Sequence, residues 1–319
     1  MRAFVFPGQG SQYVGMGKEL AESFTQARHT FEEVDEALGQ NLFRLMTEGD
    51  ENELNMTENT QPALMAVSMA VMNVLTREAG ISAHKVTSFM AGHSLGEYSA
   101  LTAASSLNIW DTAKLLKTRG RAMQEAMPAG TGAMAAIVGL EMETINAIAD
   151  SVAHESGTDI VCQCANDNAP GQVVVSGHAT AVDLAHEKAE AQGAKKVVKL
   201  PVSAPFHCTL MAPAAKTMAQ ALADTDIHPP RVPIVSNVTA GGESDPPRLR
   251  QLLVDQITQT VRWRESVQFM QEQGVTSMIE IGAGKVLSGL NRRIDRNIAS
   301  MNVETPEQVE ALIDTLNKA

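Results

Sequence analysis

Gly92-His93-Ser94-Leu95-Gly96, preceded by the apolar run Val86–Ala91 and followed by a helical stretch from Leu95 to about Ala104, decides the fold. A strand that bends sharply into a helix needs small residues on both sides of the bend, and G-x-S-x-G supplies them. The central serine is then held in a strained backbone conformation. Its hydroxyl is exposed at the carboxyl end of the strand, over a helix N-terminus that favours developing negative charge. The amide N–H of Leu95 is placed to stabilise a tetrahedral oxyanion. A glycine-rich turn whose serine merely caps a helix would carry the same five residues. The strand before and the helix after favour Ser94 as a nucleophile for acyl-transfer chemistry.

Working outward, residues 2–6 read as a buried strand ended by Pro7-Gly8, with a loop over Gly8–Gln12. One helix is expected from Lys18 through Leu38. Another is expected from Thr60-Gln61-Pro62 to Leu75, with Thr60 as N-cap and Pro62 in the first turn. Strands alternating with helices imply a mostly parallel sheet covered on both faces. After Pro128 the order becomes strand 132–140, helix 143–155, strand 159–165, strand 172–176, helix 179–192 and strand 195–200. That β-α-β-β-α-β order is the ferredoxin-like signature. The expected architecture is α/β: an α/β-hydrolase-like catalytic domain with a parallel sheet and nucleophile elbow, formed by residues 1–127 and 201–319. A ferredoxin-like small domain, 128–200, is inserted into it. The two flanking parts must then share one sheet, and Gly241–Pro247 reads as a surface loop.

The bulk numbers exclude several classes. The chain has 319 residues, 44% hydrophobic and 19% charged, as an ordinary globular protein does. Aromatics are 4% and methionines number 17, so an aliphatic, Met-filled core is expected. A net charge of −12 argues against nucleic acid as a partner. Cys162, Cys164 and Cys208 are too few for a disulfide framework, and Cys162-x-Cys164 lacks the second pair a zinc site needs, so buried strand thiols are expected. No apolar run reaches the roughly 18–20 residues of a membrane span. The run from Met1 to Gly8 enters a strand without a charged-then-apolar leader, so no membrane association and a cytoplasmic location are expected.

A serine nucleophile needs a base, and eight histidines compete. His29, His154 and His186 lie in polar helical stretches, and His84 and His228 in connecting segments. His93 lies inside the elbow and is expected to pack away from the nucleophile. His207 leaves a strand at the domain junction, in Val202-Ser203-Ala204-Pro205-Phe206-His207, and is the leading base. Asp224, Asp226 and Asp255 all follow it, whereas α/β-hydrolases place the acid before the histidine. A Ser–His dyad held by a backbone carbonyl therefore stays open.

Several motifs now occur in order: Phe6-Pro7-Gly8-Gln9-Gly10-Ser11-Gln12, the elbow with Glu97-Tyr98-Ser99-Ala100, Arg119-Gly120-Arg121-Ala122-Met123-Gln124, Gly171–Gly177, Pro205-Phe206-His207 and Gly282–Leu287. Together they resemble the malonyl-CoA:acyl-carrier-protein transacylases of type II fatty acid synthesis, over essentially the whole chain. The resemblance implies that Ser94 carries a malonyl ester and His207 serves as base and acid. It implies an oxyanion hole from the N–H groups of Gln9 and Leu95, and a Gln256 carbonyl orienting the histidine, which would account for the missing acid. Arg119 would pair with the malonyl carboxylate, as a planar guanidinium can through two hydrogen bonds. Asn168 would face the cleft from a small-domain loop and bind substrate. Phe206 would disfavour an α-methyl branch.

No metal or other cofactor is implied. The expected partners are malonyl-CoA and an acyl carrier protein, and the chain is expected to be a monomer. The family pattern is varied at Thr260-Val261-Arg262-Trp263 and at Gly282-Ala283-Gly284-Lys285, which lacks phosphate-loop spacing and reads as a turn starting a helix. Basic groups at Lys114, Lys117 and Arg121, at Lys188, Lys195, Lys196 and Lys199, or at Arg292, Arg293 and Arg296 would steer an acidic carrier if they border the cleft. Rival readings are a thioesterase or lipase-type hydrolase, an acyltransferase serving a polyketide synthase or malonate decarboxylase, and a silent docking subunit.

Overall fold

The computed structural model describes residues 1–157, 159–202 and 204–318. Ser203, within the His207 loop, lies outside the described residues.

The strands are β1 (Arg2–Phe6), β2 (Phe89–Gly92), β3 (Gly132–Val138), β4 (Cys162–Ala169), β5 (Gln172–His178), β6 (Lys196–Lys199), β7 (Ile234–Val235), β8 (Gly242–Glu243), β9 (Ser277–Ile281) and β10 (Ala299–Val303). Six of them form one sheet in the order β10-β9-β1-β2-β7-β8. The pairs from β10 to β7 are parallel, and only the two-residue edge strand β8 runs antiparallel. The two parts of the chain that flank β3–β6 thus meet in one sheet, at β1·β9 and β2·β7. β1 is buried almost end to end (burial from Ala3 through Phe6), as a central parallel strand covered on both faces must be. The second sheet is antiparallel, ordered β4-β5-β3-β6, with helices Met142–Ser156 and Ala179–Ala191 completing the β-α-β-β-α-β unit.

Local departures have local causes. The helix expected over Lys18–Leu38 is two helices, Lys18–Ser23 and Thr25–Leu38, broken at Phe24, whose backbone is extended (φ −125°, ψ 126°). The central apolar helix starts at Thr57, not Thr60; the Thr60 hydroxyl is turned back to donate to the Leu54 carbonyl at 2.6 Å. Pro62 therefore lies inside this helix rather than in its first turn. The run Gly241–Pro247 is not all loop, since it contributes β8 and the first residues of helix Pro246–Asp255. Gly282–Lys285 does turn into a helix, Val286–Ile294, whose first free N–H groups are satisfied from within. The buried Glu280 carboxylate accepts from Leu287 N at 3.0 Å and Ser288 N at 2.7 Å.

All three cysteines are buried and free, and burial pushes the Cys162 and Cys164 thiols up to about 12. Among the described residues no helix is long and apolar enough to cross a membrane.

Candidate active site

Ser94 follows β2 and precedes helix Gly96–Ala103, with φ at 53°, in the left-handed region that non-glycine residues avoid. Backbone-to-backbone packing enforces the bend. A Cβ on Gly92 would lie 1.9 Å from the Gly96 carbonyl, and one on Gly96 would lie 2.3 Å from the Phe6 carbonyl oxygen. Asn237 clasps the bend from the side: its Oδ1 accepts from Ser94 N at 2.7 Å while its Nδ2 donates to the Gly92 carbonyl at 2.7 Å. Two buried hydrogen bonds offset a strain of about 1–2 kcal/mol.

His207 reaches the serine from the segment beyond β6. Its Nε2 is 2.8 Å from Ser94 Oγ, and its Nδ1 is 2.8 Å from the backbone carbonyl of Gln256. A carbonyl only accepts, so Nδ1 carries the proton and Nε2 is left bare to accept from the serine hydroxyl. Burial, then the Arg119 charge, pull the imidazole down to about 3, so it is neutral near pH 7. Asp224, Asp226 and Asp255 supply no contact to it; the backbone takes the orienting place.

Arg119 is not on the surface. It is 1% exposed, on the inner face of helix Ile109–Glu125. Its two terminal nitrogens are held by two amide carbonyls: Nη1 donates to Gln61 Oε1 at 2.9 Å and Nη2 to Gln256 Oε1 at 2.8 Å. Nη2 also donates to Ser94 Oγ at 3.1 Å. Burial disfavours the guanidinium charge, and the buried Tyr98 and Glu97 support it, so an anion brought against Arg119 would be favourable. Its helix approaches the Thr57–Asn73 helix closely because residue 120 is glycine; a Cβ there would lie 2.5 Å from the Thr57 carbonyl oxygen.

Around these groups lies a cavity of about 390 Å³, whose wall includes Gln9, Leu95, Met123, Met134, Asn166 and Phe206. Gln9 and Leu95 thus border the same cavity as Ser94. Asn168 is placed differently from expectation. It lies in β4 rather than in a loop, and its Oδ1 is 2.8 Å from Nε2 of the half-buried His93. The asparagine that lines the cavity is Asn166, and an irregularity of β4 between Asp167 and Ala169 sets Asn168 apart from it. His93, which also borders the cavity, packs its ring near Trp263, 5.9 Å between centroids.

Three participants carry no sequence signal strong enough to single them out: Gln61, Asn237 and Glu97. Glu97 is fully buried in the first turn of the elbow helix. Its Oε2 accepts from Gln256 Nε2 at 2.7 Å and from Asn237 N at 3.1 Å. Burial pushes its carboxyl up to about 7, against the pull of those donors and of Arg119. A polar residue within an apolar helix, as Gln61 and Glu97 both are, is the only trace they leave in the sequence.

The basic groups are largely engaged within the chain. Glu58 pairs with Lys117 (3.2 Å) and Arg121 (3.1 Å), Glu155 with Lys188 (2.6 Å), and Asp183 with Lys199 (2.5 Å). Arg262 is held by Glu265 and the Val238 carbonyl, and its backbone N–H donates to the Asn237 carbonyl at 3.0 Å.

The acyl transferase domain family matches residues 3–313. The malonyl CoA-acyl carrier protein transacylase of Bacillus subtilis is 45% identical over 316 residues, covering 99% of this chain and 97% of that protein. The Escherichia coli K12 protein of the same name is 43% identical, with 98% of each covered. The crystal structure of an acyl-carrier-protein S-malonyltransferase from Bartonella henselae superposes with a TM-score of 0.96 at 50% identity, covering 99% of each chain. A malonyl-transacylase solved in complex with its type II polyketide acyl carrier protein superposes at 0.93 and 42% identity, covering 98% of this chain and 99% of that one.

Proposed function

Because the chain belongs to the acyl transferase domain family, we propose that it moves a malonyl group from malonyl-CoA to the phosphopantetheine thiol of an acyl carrier protein, through an ester on Ser94. The observation that carries the choice of cargo is the buried Arg119, whose Nη2 lies 3.1 Å from Ser94 Oγ. A cation so close to the nucleophile suits an acyl group that ends in a carboxylate.

The mechanism follows from the contacts. Ser94 Oγ attacks the thioester carbonyl while His207 Nε2 takes its proton. The tetrahedral oxyanion is received by the N–H groups of Gln9 and Leu95. Collapse expels the coenzyme thiolate, which takes the proton back from His207 and leaves a malonyl-serine ester. In the second half His207 deprotonates the carrier's thiol, which attacks the ester, and Ser94 regains its proton. No orienting acid is required, because the Gln256 carbonyl holds the imidazole tautomer. Arg119 grips the malonyl carboxylate throughout, which separates this reading from a hydrolase acting on uncharged acyl chains. A monomer suffices, since all named groups come from one chain.

A second carrier class is favoured by one observation, the likeness to the transacylase solved with a polyketide carrier. The chemistry is the same with either carrier. Intact mass after mixing with malonyl-CoA tests the reading: a malonyl adduct is expected on the wild type and none on Ser94→Ala. An adduct surviving in Ser94→Ala overturns the mechanism, and transfer rates to a fatty-acid and a polyketide carrier decide between the two.

A further inference from the structure

The side-chain amide of Gln256 lies at the centre of the site, yet its backbone carbonyl already does the work of orienting His207. On its nitrogen side every neighbour is an acceptor: the Glu97 carboxylate at 2.7 Å, the Ser94 carbonyl at 3.0 Å and Asn237 Oδ1 at 3.3 Å. On its oxygen side stands Arg119 Nη2 at 2.8 Å. Flipping this amide would set oxygen against three oxygens and N–H against a guanidinium, so only one orientation is allowed.

We propose that Glu97 is a positioning residue for malonyl selectivity, acting through Gln256 to aim Arg119 and through Asn237 to hold Ser94. A single oxygen, Oε2, accepts from Gln256 Nε2 and Asn237 N at once. It ties the amide that holds Arg119 to the asparagine that clasps the elbow. Removing that oxygen leaves Gln256 Nε2 and Asn237 N short of an acceptor in a buried site, where each unmade bond is costly. Gln256 then follows its remaining acceptors, and its carbonyl leaves the line to Arg119. The other oxygen, Oε1, is buried with no hydrogen-bond partner among the described residues. A glutamine at 97 therefore keeps the working acceptor and changes only the other oxygen of a carboxyl that also has the Ser236 side chain beside it.

This proposal rests on the reading of Arg119 as the carboxylate site. The experiment compares loading of Ser94 by malonyl-CoA and acetyl-CoA, with KM and kcat separated, in Glu97→Ala, Glu97→Gln, Gln256→Ala and Arg119→Ala. Glu97→Ala is expected to lower the malonyl-over-acetyl ratio about tenfold, chiefly through the malonyl KM. Glu97→Gln should restore the ratio to within about threefold of wild type, and Gln256→Ala should match Glu97→Ala. Equal losses for both substrates in Glu97→Ala, or a glutamine variant as impaired as the alanine one, overturn the proposal. If Glu97→Ala does not fold, Gln256→Ala decides: a wild-type ratio there removes the route from Glu97 to Arg119. An unchanged ratio in Arg119→Ala would instead overturn the carboxylate reading itself.

Discussion

Ser94 and His207 meet at 2.8 Å, and each does so from a left-handed backbone, with φ at 53° and 58°. Neither side chain could keep its direction if its residue relaxed to an ordinary conformation. The encounter of the proposed nucleophile and base is thus stored in the main chain, with Asn237 bracing one partner and the Gln256 carbonyl aiming the other.

Replacing Ser94 with glycine should make the protein more stable while abolishing acylation. Glycine adopts a positive φ without the steric cost that serine bears, roughly 1 kcal/mol. A rise in Tm of about 1–3 °C is expected by calorimetry. A fall in Tm would mean that the hydroxyl's bonds to His207 and Arg119 outweigh the strain.

Arg119→Ala should cut malonyl loading by about a hundredfold or more, the worth of two charge-assisted hydrogen bonds, while acetyl loading changes far less. Arg119→Lys should not restore it. An ammonium on a flexible stem cannot reach Gln61, Gln256 and a substrate carboxylate in one plane. Single-turnover loading of the two thioesters reads this directly.

Gly120→Ala should weaken malonyl selectivity from outside the pocket. The added Cβ would meet the Thr57 carbonyl oxygen at 2.5 Å and push apart the two helices that carry Gln61 and Arg119. Overpacking of this kind costs about 1–3 kcal/mol. A Tm drop together with a reduced malonyl-over-acetyl ratio is expected, and a Tm drop with an unchanged ratio would count against it.

The pH behaviour of two groups has opposite sign. His207 is pulled down to about 3, so it is already neutral between pH 5 and 8, and acylation should show no limb at an ordinary histidine's pH. Glu97 is pushed up to about 7. A raised carboxyl stabilises the folded state below its unfolded value and loses that contribution as pH climbs through the folded value. The wild type should therefore lose stability between pH 5 and pH 8, by an amount of order 3 kcal/mol from this group. Glu97→Gln should lack that loss, so the Tm difference between the two widens toward pH 8. Parallel pH–Tm curves would contradict the assignment, and a rate limb near pH 6.5 that persists in Glu97→Gln would contradict a neutral His207.

Much of this is legible in the sequence. The elbow could be read because steric exclusion leaves so few residues at 92 and 96, and His207 because it leaves a strand at a junction between two patterns. The mostly parallel sheet shared by the two flanking parts followed from alternation of strand and helix, which hydrophobic periodicity records well, whereas the order of its strands did not. What stayed hidden was set by contacts distant in sequence. Asn168 read as loop because Pro170-Gly171 follows it, but pairing with β5 carries β4 through Ala169. The helix start at Thr57 is invisible because Thr60 has a capper's side chain and spends it on Leu54. Nothing in Ser236-Asn237-Val238 betrays a brace for a serine 143 residues earlier.

Glu280 lends itself to one more consequence. By seating its own carboxylate on the N-terminus of helix Val286–Ile294, the chain closes a place where a phosphate could otherwise dock. On the function proposed above, the strong electrostatic hold falls instead on the acyl end, at Arg119. A catalyst that must accept cargo from one thiol and surrender it to another is well served by that division. It holds fast to the passenger and lets either vehicle pull away.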